Sequence, residues 1–273
     1  MKITKKEILT DTAGTRIIRI HVTAPIISRK AQPGQFVVVM VTEEGERIPL
    51  TVVDCIHDQI VLIFQEAGLS TKLLGRLNEG DELHALLGPL GHPTTIKNYG
   101  KVILVAGGVG IAEILPVAKA LKKAGNHVDT IMGARSKELL FLENELREAS
   151  SELHVITDDG SYVRKGFTTD VLRELLEKDT YDFIYAVGPI PMMKRAGEVT
   201  KEFHAVTYVS LNALMMDGTG MCGGCRVTVG GKVKFACVDG PEFDAHLVDW
   251  EELSNRTKMY VDKEKHICNL YNV

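Results

Sequence analysis

The chain begins with short apolar runs set among polar residues. Thr15–Val22 alternates in part, Gln35–Val41 is almost continuously apolar, and Leu50–Val53 and Gln59–Gln65 follow. Turn formers separate them at Gln32-Pro33-Gly34, Glu44-Gly45 and Asn78-Glu79-Gly80-Asp81. Short strands at regular spacing predict a small barrel or sandwich over residues 1–97. One helix, Ser70–Arg76, is expected within it, and Gly68-Leu69-Ser70-Thr71 offers a hydroxyl N-cap and free amides at its start.

The pattern changes near Tyr99-Gly100. Apolar runs at Val102–Ala106, His127–Gly133, Leu153–Thr157, Phe183–Val187 and Ala205–Val209 now alternate with helical periodicities. The helical segments are Ile111–Lys123, Leu139–Ser150, Thr168–Lys178 and Pro191–Phe203. This alternation predicts a parallel, doubly wound α/β sheet over residues 98–210. From 211 to 273 the chain reads as a small appended subdomain. Val227–Val229 and Val233–Ala236 flank Gly230-Gly231 as a hairpin, and Trp250, Tyr260 and Tyr271 are expected to anchor a charged tail.

A chain of 273 residues with 45% hydrophobic content has material for two domains and an appendage. Its net charge of -4 gives no electrostatic case for nucleic acid or an anionic membrane. No apolar run of about 18 residues suggests a membrane span. Met1-Lys2-Ile3-Thr4-Lys5-Lys6 lacks an apolar signal region. Five cysteines, three of them at ligand spacing, fit a reducing cytoplasm better than a disulfide framework.

The three clustered cysteines carry the chemistry. Asp217, Cys222, Cys225 and Cys237 read D-x4-C-x2-C-x11-C. Plant-type [2Fe–2S] ferredoxins use C-x4-C-x2-C and a later fourth cysteine. Asp217 here stands at the first ligand position, and the expected hairpin returns Cys237 toward Cys222 and Cys225. The rival is a zinc knuckle closed by Cys268 or His246, although zinc ribbons tend to pair two C-x2-C units. Asp217 in a glycine-rich turn is also ordinary turn chemistry.

Gly107, Gly108 and Gly110 form a G-G-x-G loop between an expected strand and helix. Such a loop lets backbone approach a pyrophosphate at a helix N-terminus, and it equally serves tight strand–helix packing. Arg135 follows the next strand, where an adenosine ribose or its 2′-phosphate would lie. Gly188 and Pro189 end another strand, at the edge where a nicotinamide would bind. No acidic residue ends the strand before Arg135, so both NAD(H) and NADP(H) stay open.

The order of barrel, G-G-x-G domain and cysteine loop resembles the ferredoxin–NADP reductase superfamily. Pro33-Gly34-Gln35-Phe36, Arg47-Ile48-Pro49-Leu50-Thr51, the Gly107 loop and the cysteine loop carry the likeness, which spans essentially the whole chain. The resemblance implies FAD on the barrel, NAD(H) on the α/β domain and a [2Fe–2S] cluster held by Asp217, Cys222, Cys225 and Cys237. It implies that Thr51 contacts the flavin ring and acts catalytically, with Arg47, Pro49 and Leu50 on the same strand. Arg47 stands one place before the family's arginine, which turns it to the opposite strand face. Gly68, Ser70 and Thr71 match the helix start that meets the FAD pyrophosphate. Glu113 stands where related reductases carry Pro or a small residue.

Within the superfamily the chain is similar to two kinds of electron-transfer subunit. One serves dihydroorotate dehydrogenase B. The other is the small subunit of NADH-dependent reduced ferredoxin:NADP oxidoreductase, a bifurcating enzyme. Asp217 favours the second, because the first is expected to carry Cys there. That likeness implies a larger flavin and [4Fe–4S] partner of glutamate-synthase-like type, reaching ferredoxin only through the complex. A non-enzymatic alternative is a zinc-stabilised nucleotide-binding regulatory module.

Overall fold

The computed structural model describes residues 1–12 and 14–270. Tyr271 lies outside the described residues. The N-terminal part comprises β1 (Ile3–Thr12), β2 (Thr15–Thr23), α1 (Pro25–Ser28), β3 (Phe36–Met40), β4 (Arg47–Ile56), β5 (Gln59–Gln65), α2 (Leu69–Arg76) and β6 (Ala85–Leu90). Its six strands pair antiparallel in the order β1-β2-β5-β4-β3-β6. Ile3 N–H donates to Asp81 O and Leu83 N–H to Met1 O. These bonds bring the segment before β6 against β1 and close the barrel. Alternate residues of β2 and β5 point inward, among them Ile18, Ile20, Ile60, Leu62 and Phe64. The apolar pattern did not predict β1, whose only buried residues are Ile3 and Thr10. Tertiary pairing holds a strand this polar.

The α/β part follows as β7 (Lys101–Gly107), α3 (Gly110–Lys123), β8 (His127–Ala134), α4 (Glu143–Ala149), β9 (Glu152–Thr157), α5 (Thr168–Lys178), β10 (Phe183–Val187), α6 (Ile190–Glu202) and β11 (Thr207–Ser210). The strands run parallel in the order β9-β8-β7-β10-β11. The expected helix over Leu139–Ser150 is shorter. A single 3-10 turn covers Lys137–Leu139, and Leu142 adopts φ 59, so α4 starts only at Glu143. Phe141 and Leu142 are apolar because they plug the core beside α3.

The C-terminal part contains β12 (Arg226–Val229), β13 (Lys232–Phe235), α7 (Ala236–Asp239), β14 (Glu242–Asp244), α8 (Trp250–Thr257) and α9 (Val261–Leu270). Gly230 and Gly231, at φ 57 and 74, make the two-residue turn of the β12–β13 hairpin. Strand β14 pairs antiparallel with β11 and becomes the edge of the α/β sheet. Trp250 anchors the tail by donating from Nε1 to Ala245 O, whereas Tyr260 is exposed.

The three parts share interior. The core under α5 and α6 continues into Cys225, Val227, Phe243 and Leu253. The core on the α3 side reaches the barrel through Ile17, Val53 and Ile63. Among the described residues, no helix is long and apolar enough to cross a membrane.

Candidate functional site

Strand order reverses between β7 and β10. Their following loops leave in opposite directions and open a crevice at the carboxyl edge, where α/β sheets bind ligands. A cavity of about 730 Å³ lies there, between the sheet edge and the barrel. Gly107, Gly108, Gly110, Arg135, Gly188 and Pro189 all line it. A Cβ on Gly110 would lie 2.4 Å from Val187 O, so only glycine lets α3 start this close to β10. A Cβ on Gly188 would lie 2.9 Å from Gly107 O, placing the two loops in contact. Gly108 has φ 57 and open space where a Cβ would stand. Its bare backbone faces a region that a pyrophosphate fits.

Asp158 also lines this cavity. Burial, and then the Asp159 carboxylate, push Asp158 upward, while Arg135 opposes them. In the sequence, Thr157-Asp158-Asp159-Gly160 reads only as a turn. Its acidic pair adjoins the place expected for the adenosine ribose.

A second cavity of about 510 Å³ lies on the barrel side. Pro49, Leu50 and Thr51 of β4 line it, as do Gly68, Ser70 and Thr71 at the start of α2. Thr71 Oγ1 accepts from Ala67 N and Gly68 N at 2.9 and 3.1 Å, so this hydroxyl caps the helix. Gly68 has no atom within 4 Å of a would-be Cβ and leaves backbone open to the cavity. The size of the space, the open helix start and the hydroxyl of Thr51 fit a flavin dinucleotide.

Arg47 is exposed, pairs across β3 with Met40, and is not among the residues lining the cavity, although Glu46 and Ile48 are. Glu46 instead accepts a hydrogen bond from Ser70 Oγ. The offset of one residue from the family motif therefore removes this guanidinium from the cavity wall.

The two cavities share Gln65, Val109, Glu113, Ser210 and Asn212 as a common wall. Glu113 stands in the first turn of α3 and hydrogen-bonds with Thr51. Burial pushes its carboxyl up to about 7, against the opposing influence of Thr51. Gln65, Ser210 and Asn212 were not anticipated. Gln65 ends β5, Ser210 ends β11 and Asn212 follows it, and the rule that ligands gather at strand ends could have flagged the latter two.

The cysteine loop adjoins the barrel-side cavity through Met215. Cys225 and Cys237 are buried with their sulfurs 3.2 Å apart, and Cys222 is exposed. Asp217 accepts from Thr219 N at 2.9 Å and from Cys222 N at 2.8 Å. The Thr219 and Cys222 amides hold its carboxyl below the ordinary range. Burial, and then the Cys225 thiol, push the Cys237 thiol up to about 12, with Asp217 adding to the effect. Two buried sulfurs this close, with the Cys237 thiol resisting ionisation on its own, suit a cationic iron centre, which favours thiolate. The candidate fourth ligands of the zinc alternative stand elsewhere. Cys268 lines the barrel-side cavity, and His246 Nε2 lies 3.0 Å from Thr200 Oγ1.

Comparison with known proteins agrees with this arrangement. Residues 212–249 match the family model for the iron–sulfur cluster binding domain of dihydroorotate dehydrogenase B. Residues 104–198 match the oxidoreductase NAD-binding domain. A Thermotoga maritima protein named as a homolog of the dihydroorotate dehydrogenase B (NAD(+)) electron transfer subunit is 49% identical over 244 residues, covering 89% of this chain and 86% of the relative. A probable subunit of the same kind from Methanopyrus kandleri is 34% identical, with 84% of each chain covered. A solved structure described as NADH-dependent reduced ferredoxin-NADP oxidoreductase, and as giving insight into flavin-based electron bifurcation, aligns with TM-score 0.93 and 44% identity. That alignment covers 100% of this chain and 98% of the other. With likeness extending along nearly its full length, the chain belongs to the family of dihydroorotate dehydrogenase B electron-transfer subunits and their homologues, on a ferredoxin reductase-like fold.

Proposed function

We propose that this chain is the electron-transfer subunit of a bifurcating NADH-dependent reduced ferredoxin:NADP oxidoreductase. Its groups are FAD in the barrel-side cavity, NAD(H) in the carboxyl-edge cleft and a [2Fe–2S] cluster in the C-terminal loop. Bound together, they convert a two-electron hydride into single electrons. The chain's own residues supply orientation. The Gly107–Gly110 loop cradles the nicotinamide nucleotide's pyrophosphate, and Gly188-Pro189 sets its nicotinamide end. Thr51, held by Glu113, positions the flavin ring, and the first turn of α2 with Ser70 receives the flavin phosphates. Asp217, Cys222, Cys225 and Cys237 hold the cluster.

The observation that carries this reading is contiguity. The nucleotide and barrel-side cavities meet at one wall, and Met215 links the latter to the cysteine loop. Two features favour the bifurcating enzyme: the full-length likeness to the solved oxidoreductase, and Asp217 at the first ligand position. On this reading the chain's partner would be a larger flavin and [4Fe–4S] subunit of glutamate-synthase-like type that handles NADP(H) and ferredoxin. The second reading is the dihydroorotate dehydrogenase B subunit, favoured by the names of the curated relatives and by the match over residues 212–249.

Purification of the native assembly decides between them. Flavin bands over a broad iron–sulfur background, with about two irons and two labile sulfides in this chain, are expected from the plant-type motif. A copurifying glutamate-synthase-like subunit supports the first reading. A flavin-barrel dehydrogenase instead supports the second. A colourless chain with zinc and no sulfide overturns both.

A further inference from the structure

The opposite, amino-terminal edge of the α/β sheet carries a cluster that the redox reading does not use. Strand β8 begins His127-Val128-Asp129, and β9 begins Glu152-Leu153-His154. Residues two apart on a strand share a face. The register sets Asp129 opposite Glu152 and Ile131 opposite His154. Donor atoms of Asp129, Glu152 and His154 all lie within 4.8 Å of one another. His127 Nε2 lies 3.1 Å from Asp129 Oδ1, and His154 Nε2 lies 4.0 Å from Glu152 Oε1.

Two of these donor atoms are buried without a hydrogen-bond partner: Asp129 Oδ1 and His154 Nε2. Asp129 is only 3% exposed. A buried carboxylate oxygen without hydrogen bonds is costly. The other oxygen of Asp129 is well served, because Tyr181 Oη donates to Oδ2 at 2.6 Å. That bond orients the carboxylate and turns Oδ1, whose near neighbour is the His127 ring at 3.1 Å, into the cluster, the arrangement an outer-shell hydrogen bond gives a metal-binding group. Lys101, the nearby cation on β7, is taken up by Asp179.

We propose that His127, Asp129, Glu152 and His154 form a binding site for a divalent cation of zinc type. Two imidazoles and two carboxylates make a closed four-ligand donor set. Zinc accepts such nitrogen and oxygen ligands, whereas magnesium and calcium prefer oxygen alone. Two carboxylates balance the charge of one divalent ion. The donors need to close from their present separations by side-chain rotation, and His127 and Glu152 lie at the surface where rotation is free. The role is structural. The ion ties β8 to β9 at the sheet edge remote from Gly107 and Gly188.

The test uses protein already loaded with flavin and cluster, so that its cysteines are committed. After chelation and dialysis against zinc, elemental analysis should find about one retained zinc per chain, as a closed four-ligand site implies. Asp129→Asn and His154→Gln should each abolish that retention and the zinc-induced rise in melting temperature. His127→Gln, at a more exposed position, keeps the test valid if the buried variants do not fold, and it should weaken retention at least tenfold. X-ray absorption at the zinc edge should show only nitrogen and oxygen neighbours at about 2.0–2.2 Å. Sulfur neighbours, equal retention in all variants, or no retention by the wild type would overturn the proposal. None of these outcomes bears on the redox reading, which the flavin and iron content tests separately.

Discussion

Glu113 joins the two cavities at a single carboxyl. Its ordinary value of 4.5 rises to about 7 through burial. The native state therefore binds its proton more tightly than the unfolded chain does. The associated stability is fully present below the ordinary value and is lost as pH rises through about 7. The shift corresponds to about 3 kcal/mol lost between pH 5 and pH 9. Glu113→Gln should flatten this loss, so urea midpoints of variant and wild type converge near pH 5 and the variant leads above pH 8. A parallel pair of curves would show that the carboxyl ionises freely. Gly110 makes a second residue-scale prediction. A Cβ there would meet Val187 O at 2.4 Å and Val187 C at 2.8 Å, both backbone atoms that cannot swing aside. Gly110→Ala should cost about 1–3 kcal/mol through overpacking. It should also weaken NADH binding, read by titration, because displacement of α3 moves the loop that cradles the nucleotide.

Helix α9 contributes to the barrel-side cavity through Glu264, Ile267 and Cys268, yet buries none of its own residues. Deleting residues 261–273 should therefore leave the melting temperature of the flavin-free protein nearly unchanged. FAD binding should weaken on the order of tenfold, about 1.4 kcal/mol. Equal FAD affinity in the two proteins would show that α9 takes no part in holding the flavin. The contrast between α9 and α5 shows what the sequence made legible. Thr168–Lys178 has a marked apolar stripe and appears as a helix with the expected bounds. The tail helix α9, the polar strand β1 and the three-residue β14 carry no comparable periodicity, and neighbouring elements fix them. The candidate site divides along the same line. The cysteine loop and the glycine loop are local spacings and could be read directly. Gln65, Ser210 and Asn212 come together only through the topology: the strand end marks Ser210 and Asn212 as candidates, but nothing near Gln65 in the sequence shows that it joins them.

At the scale of the molecule, Glu242 connects all three parts. It lies on β14 and accepts a hydrogen bond from Thr94, in the chain leaving the barrel, and another from Tyr185 on β10. Tyr185 is buried and also hydrogen-bonds Ser210, which belongs to the wall shared by the two cavities. Gly34 makes room for the carboxylate, since a Cβ there would lie 2.7 Å from Glu242 Oε1. Burial pushes Glu242 up, opposed by Thr94 and Tyr185, which marks a polar group retained at a packed junction. Removing it would leave the Tyr185 hydroxyl and the Thr94 hydroxyl short of an acceptor, a cost of about 1–3 kcal/mol for each group left buried and unsatisfied. The more informative consequence is geometric. The barrel and the α/β sheet also hold each other through α3, Lys119–Asp54 and Arg19–Glu145, none of which involves β14. The nucleotide-to-flavin spacing should therefore survive Glu242→Ala, while the placement of the cysteine loop should not. Rapid mixing with NADH should show flavin bleaching near its wild-type rate, with subsequent cluster reduction slowed. Glu242→Gln should restore the second phase, because an amide oxygen still accepts from Tyr185 and Thr94. Equal slowing of both phases would mean that Glu242 stabilises the fold as a whole and does not set the position of the cluster relative to the flavin.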